Sequence, residues 1–127
     1  MSVTLEVLQG QVNKKKSHLI TQDTVDEINK LVEDPDYGEE FLDAYVQYFD
    51  ITSQMGNWNT PKYLNAMKFF ILMEQNMTAV DAYCKVFPER LEARHERGES
   101  KRDMGGEASR YNSSQIVNEI RKVAGIS

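Results

Sequence analysis

Arg90, Arg94, Arg97 and Lys101 recur at intervals of four, three and four, the spacing at which side chains share one face of a helix. Four cations on one face would hold a polyanion, phosphates above all. Such binding weakens by about 0.9 log unit per log unit of salt for each phosphate neutralised. Arg102 extends the stretch and Lys85 precedes it. Gly98 interrupts the run, which puts the continuity of that helix in question. Glu92, Glu96 and Glu99 stand between the bases and could pair with them, leaving a neutral, solvated surface. A phosphate contact and a self-paired face both fit the residues.

Other chemistry has less support. The chain holds no Gly-rich phosphate loop, no Gly-x-Ser-x-Gly elbow and no His-Glu-x-x-His pair. Gly105-Gly106 is too short to cradle a phosphate. Cys84 falls on a stripe with Val80 and Phe87, where a small buried hydrophobe is expected. As the single cysteine it forms no internal disulfide, which fits a reducing compartment. With only His18 and His95 beside it, a structural zinc site is not expected. The acids lie at mixed spacings with no readable carboxylate pair. The expectation is a protein that is not an enzyme and carries no cofactor and no metal.

The elements that must position the bases come from a chain of 127 residues, enough for one domain with a modest core. Hydrophobic residues at 40% and charged residues at 28% are an ordinary globular balance. No apolar run approaches the roughly 18 residues of a membrane span, and no signal peptide is visible, so no membrane partner is expected. The net charge of −5 is unevenly placed. Residues 21–60 hold Lys30 against ten acids, whereas residues 85–127 hold nine bases against seven acids. Lys14-Lys15-Lys16 adds a short basic run near the start. One end can meet a polyanion while the other repels it.

Apolar periodicity makes the chain all-α, a small helical bundle in which residues 1–20 form an N-terminal arm and 21–127 a single helical domain. The first twenty residues fit strand alternation at Val3, Leu5 and Val7 and a helical stripe at Leu5, Leu8 and Val12 equally well. Thr21 caps a helix bearing Val25, Ile28, Leu31 and Val32 on one face, and Asp34-Pro35 ends it. A second helix is predicted from Asp36 to Asp50. With Phe41, Leu42, Tyr45, Val46, Tyr48 and Phe49 apolar over more than half its circumference, it is expected at the centre of the core. Thr52 to Asn59 reads as a surface loop with Trp58 folding back as a lid. Thr60-Pro61 starts a helix running to about Gln75, with Leu64, Met67, Phe70 and Ile71 on one face. After a turn at Asn76-Met77, Thr78 and Asp81 resemble a capping box for a short helix that Phe87-Pro88 closes. A charged helix is predicted over Glu89–Arg97, a break at Gly105-Gly106, and a last helix from about Asn112 to Ala124 with Gly125 as its stop. The core is expected to include Ile28, Leu31, Phe41, Leu42, Tyr45, Phe49, Leu64, Met67, Phe70, Ile71, Val80, Tyr83, Ile116 and Ile120.

The unit at about 61–88, a long helix, a tight turn and a short capped helix with Ala79 and Ala82 allowing close approach, suits a helix-turn-helix. In DNA-binding use, the second helix enters the major groove by its N-terminal residues, here Thr78, Asp81 and Lys85. An ordinary helical hairpin fits the same spacing, and Asp81 is a poor neighbour for phosphates.

The segment KYLNAMKFFILMEQNMTAVDAYCKVFPERL resembles the helix-turn-helix of tailed-bacteriophage terminase small subunits, through Asn76, Thr78, Ala79, Ala82, Tyr83 and Phe87. The flanking stretches ITQDTVDEINKLVEDPDYGEEF and ERLEARHERGESKRD extend the resemblance over roughly residues 20–124. It implies a non-enzymatic DNA-packaging protein that binds double-stranded viral DNA, forms homo-oligomers or joins other phage assembly proteins, and works in the host cytoplasm. On that basis Thr78, Lys85, Arg90, Arg94, Arg97, Lys101 and Arg102 are the candidate DNA-binding residues. The alternative is a structural component of the virion, in capsid, neck or tail, acting through protein–protein contacts.

Overall fold

The computed structural model describes residues 3–12, 14–37, 40–52 and 60–125. Among them are eight α-helices and two short 3-10 turns, and no strand. The chain is a small all-α bundle. None of these helices is long and apolar enough to cross a membrane.

The N-terminal segment, whose sequence fits two patterns, is helical. Helix α1, Leu5–Gly10, is capped by Thr4, whose side chain accepts from the Val7 amide. It packs on α2, Gln22–Glu33. The Asn29 side chain receives the Val3 amide at 2.7 Å and donates to the Val3 carbonyl at 2.9 Å, pairing the incoming chain as a strand neighbour would. Leu8, Val12 and Ile20 are buried in the same core as the helices that follow.

Helix α3 spans Glu40–Thr52 and α4 spans Thr60–Glu74. The expected loop with Trp58 falls on 53–59, outside the described residues. The centre of the core is α4 rather than α3. Over residues 40–49 of α3 the stripe Phe41, Tyr45 and Phe49 is fully covered, with Leu42, Val46 and Tyr48 half-buried. In α4, Tyr63, Leu64, Ala66, Met67, Phe69, Phe70 and Leu72 are all buried. The difference is one of neighbours, because α4 is packed by α2, α3, α5 and α8 on different sides. Apolar circumference tells how much surface a helix offers, and α4 with Tyr63, Ala66 and Phe69 offers more than the single face read from Leu64, Met67 and Phe70.

Between α4 and α5, Ala79–Val86, the chain reverses at Asn76, whose φ of 68° lies in the left-handed region that asparagine tolerates. The Met77 amide donates to the Leu72 carbonyl and the Asn76 amide to the Met73 carbonyl, a Schellman stop. Helix α6 is Pro88–Glu96, with its proline in the first turn. Its stop repeats the motif with Gly98 at φ 78°: the Glu99 amide donates to Arg94 O and the Gly98 amide to His95 O. A capping box of Ser100 and Asp103 then opens the 3-10 turn Lys101–Met104. That turn runs directly into α7, Gly105–Asn112, so the glycine pair marks the change from 3-10 to α geometry. The last predicted helix corresponds to α8, Gln115–Val123, whereas α7 is an additional helix where only a break was expected, and the two are divided at Ser113-Ser114. Arg121 staples the division by donating to the Asn112 carbonyl at 2.7 Å.

Of the expected core, Leu42, Ile71, Val80 and Ile116 are only partly buried, while Met104, Ala108 and Val117 are fully buried.

Candidate nucleic-acid interface

Two aromatic clusters organise the interior. Tyr37, Phe41, Tyr45, Phe49 and Tyr63 form one, with centroid distances of 4.9 to 6.5 Å. Phe69, Tyr83, Phe87 and Tyr111 form the other, at 5.0 to 5.6 Å. The second cluster lies under the basic stretch. Tyr83 and Phe87, four apart, bring α5 to its edge, and Arg90 in the first turn of α6 covers it. The Arg90 guanidinium stands 4.3 Å from the Phe87 ring centroid and 5.6 Å from that of Tyr83, and it donates to the Tyr83 hydroxyl.

From that hydroxyl a polar chain runs outward. Tyr83 donates to Glu107 at 2.7 Å, and Glu107 accepts from Arg94 at 3.1 Å. Arg94 also donates to Glu99 at 3.2 Å, and the other oxygen of Glu99 accepts from Arg97 Nε at 3.0 Å. The Tyr83 hydroxyl, then Arg94, hold the Glu107 carboxyl below its ordinary range. Burial, then the Glu107 carboxylate, raise the Tyr83 phenol. These contacts fix the guanidinium of Arg94 in place before any ligand arrives.

Arg90, Arg94 and Arg97, which sequence spacing puts on one face, do converge. With Ala93 and Glu107 they line a hollow of about 260 Å³. Counting Glu99, three guanidiniums face two carboxylates, a formal excess of one positive charge. Lys101 does not continue the row, because Gly98 turns the chain before it. Its ammonium pairs with Asp81 instead, and Lys101 chiefly, with Thr78, lowers the Asp81 carboxyl. Arg102 beside it is exposed, with no ion pair among the described residues.

Helix α5 is built into the body. Ala82, Tyr83, Cys84 and Val86 are buried, and α4, α6 and α7 pack around it. Its outward polar residues are already engaged. Thr78 accepts the Asp81 amide at 3.2 Å, and Lys85 reaches Asp34 at 3.3 Å and Asp36 at 2.7 Å. Asp36 first, then Asp34, raise the Lys85 ammonium. Cys84 is buried, with its sulfur 3.7 Å from that of Met104. Among the described residues no group of three His, Cys, Asp or Glu is placed to hold a metal ion.

A second hollow, of about 270 Å³, adjoins the first through Arg90 and is lined also by Lys62, Asn65, Phe87, Tyr111 and Ile116. Sequence reasoning passes over Asn65, Tyr111 and Glu107. The signal available is the row Tyr83, Phe87, Arg90, at four and three, which sets an arginine over two aromatic rings. No family model matches the chain, and no curated protein or solved structure matches it.

Proposed function

We propose that the chain is a non-enzymatic DNA-packaging protein of a tailed bacteriophage, similar to terminase small subunits, which holds DNA phosphates on the α6 side of the bundle. The observation that carries this reading is the convergence of Arg90, Arg94 and Arg97 on one hollow, with Arg102 exposed beyond it. Arg94 is braced by two carboxylates that take a donor from each terminal nitrogen, so the donors it has left are held in place and binding orders them at a reduced entropic cost. Guanidinium geometry suits phosphate oxygens. The excess charge of the hollow is small, so tight binding requires several copies acting together, and a homo-oligomer supplies that avidity. The host cytoplasm is the place of work on this reading.

A structural role in the virion is the second reading. It is favoured by the number of bases that meet carboxylates of the chain itself, Lys68 on Glu27, Lys85 on Asp34 and Asp36, and Lys101 on Asp81 among them. Fluorescence anisotropy with labelled duplex DNA separates the two. Saturable binding that weakens steeply between low and near-physiological salt is expected for the packaging protein. No binding at low salt would leave protein–protein contact as the function.

A further inference from the structure

We infer that the two hollows joined by Arg90 form a site for one unpaired nucleotide, its phosphate among Arg90, Arg94 and Arg97 and its base against Tyr111 and Ile116. This rests on the nucleic-acid reading above and narrows it to a strand with at least one base out of the duplex.

The two hollows differ in their walls. One is lined by three guanidiniums with the Glu107 carboxylate and Ala93 among them, the other by the edges of two aromatic rings and Ile116, with Lys62 and Asn65 at its side. A nucleotide has the same division, an anion beside a flat, weakly polar ring. Each hollow falls just short of the roughly 300 Å³ at which small-molecule pockets begin, and together they pass it. Arg90 serves both, as a cation for the phosphate and as a flat plate beside the Phe87 ring. Arg97 donates Nε to Glu99, and its two terminal nitrogens, unbonded among the described residues, remain for phosphate oxygens. In the second hollow the Asn65 amide has no hydrogen bond among the described residues, and it offers a donor and an acceptor side by side. That pairing matches the edge of a base. A base inside a duplex has both faces stacked and its pairing edge used, so only an unpaired base can enter.

The test uses the full chain and three probes: a fluorescein-labelled deoxyadenylate strand, the same strand annealed to its complement, and adenosine monophosphate as competitor. The strand is expected to bind more tightly than the duplex. Asn65→Ala is expected to weaken strand binding about three- to tenfold through the lost amide bonds. Arg97→Ala is expected to weaken it about fivefold at 0.1 M salt, one phosphate contact on a single strand. Both side chains reach solvent, and unchanged thermal melts would establish that the variants fold. Displacement by adenosine monophosphate at strand-like affinity would make a free nucleotide the ligand of the site; weak displacement would make it a strand. Duplex binding as tight as strand binding, with Asn65→Ala silent, would overturn the nucleotide site and leave the packaging reading intact. No binding of either DNA at low salt would overturn both.

Discussion

The ion pairs divide the candidate DNA-binding residues into two groups that should behave differently when neutralised. Arg102 has no ion pair among the described residues, and Arg97 keeps its terminal nitrogens unbonded there, with its side chain 64% exposed. Lys85 and Lys101 are held by Asp34, Asp36 and Asp81. If each of the two arginines meets one phosphate, the double variant Arg97→Gln, Arg102→Gln lowers the salt slope of duplex binding by about 1.8. At 0.1 M salt that is a loss of about 60-fold, or ~2.5 kcal/mol at 1.4 kcal/mol per tenfold. The double variant Lys85→Gln, Lys101→Gln removes cations whose field is already cancelled at contact distance. Its slope should not change, and its affinity should fall by less than about threefold through the screened outer field. Anisotropy over a salt series measures both slope and affinity for each variant. Equal losses from the two pairs would overturn this division, because binding would then follow total charge and not the available guanidiniums. Both variants leave Arg94 intact with its pairs to Glu99 and Glu107.

Three further outcomes concern the scaffold. Met104 is fully buried against Cys84, so Met104→Ala should cost about 2–5 kcal/mol in denaturant unfolding, and a cost under about 1 kcal/mol would contradict the packing described. Gly98 sits at φ 78° with nothing within 4 Å of where a methyl group would sit, so Gly98→Ala should lose about 1 kcal/mol from backbone conformation alone; an unchanged melting temperature would place the α6 stop elsewhere. The Glu107 carboxyl is held below its ordinary value of 4.5, so the folded state binds fewer protons there than the unfolded chain. That contribution is complete above about pH 4.5 and is lost as pH falls through the folded value; Glu107→Gln should flatten this acid limb in a pH series of thermal melts, and an identical limb would show that the carboxyl contributes nothing to acid stability.

What is legible in the sequence follows from which forces are local. Caps and stops are readable at Thr21, Thr78, the Asn76-Met77 turn and Gly125, because each depends on a few neighbouring residues. The all-α class follows from periodicity. Helix α7 escapes such reading because the Gly105-Gly106 pair that opens it reads locally as a break, and the staple from Arg121 that ties α8 back to its end comes from nine residues beyond Asn112. Periodicity ranks α3 above α4 because it measures apolar surface, whereas burial depends on how many neighbours a helix acquires. The same limit applies to the bases. Spacing brings Arg90, Arg94 and Arg97 together correctly, since two lie within α6 and the third caps its end. The partners Asp34 and Asp36 of Lys85 lie about fifty residues away, and the Glu107 that holds Arg94 comes from α7. Long-range pairing decides which cations stay available, and no local pattern reports it.

Phosphate binding on the α6 side is tested residue by residue in a chemical-shift titration of the 15N-labelled protein with duplex DNA at low salt. The largest changes are expected from Arg90 to Arg102, with α2 unmoved among its acids. Changes centred on α2 or α3, or no change at any ratio of DNA to protein, would contradict it.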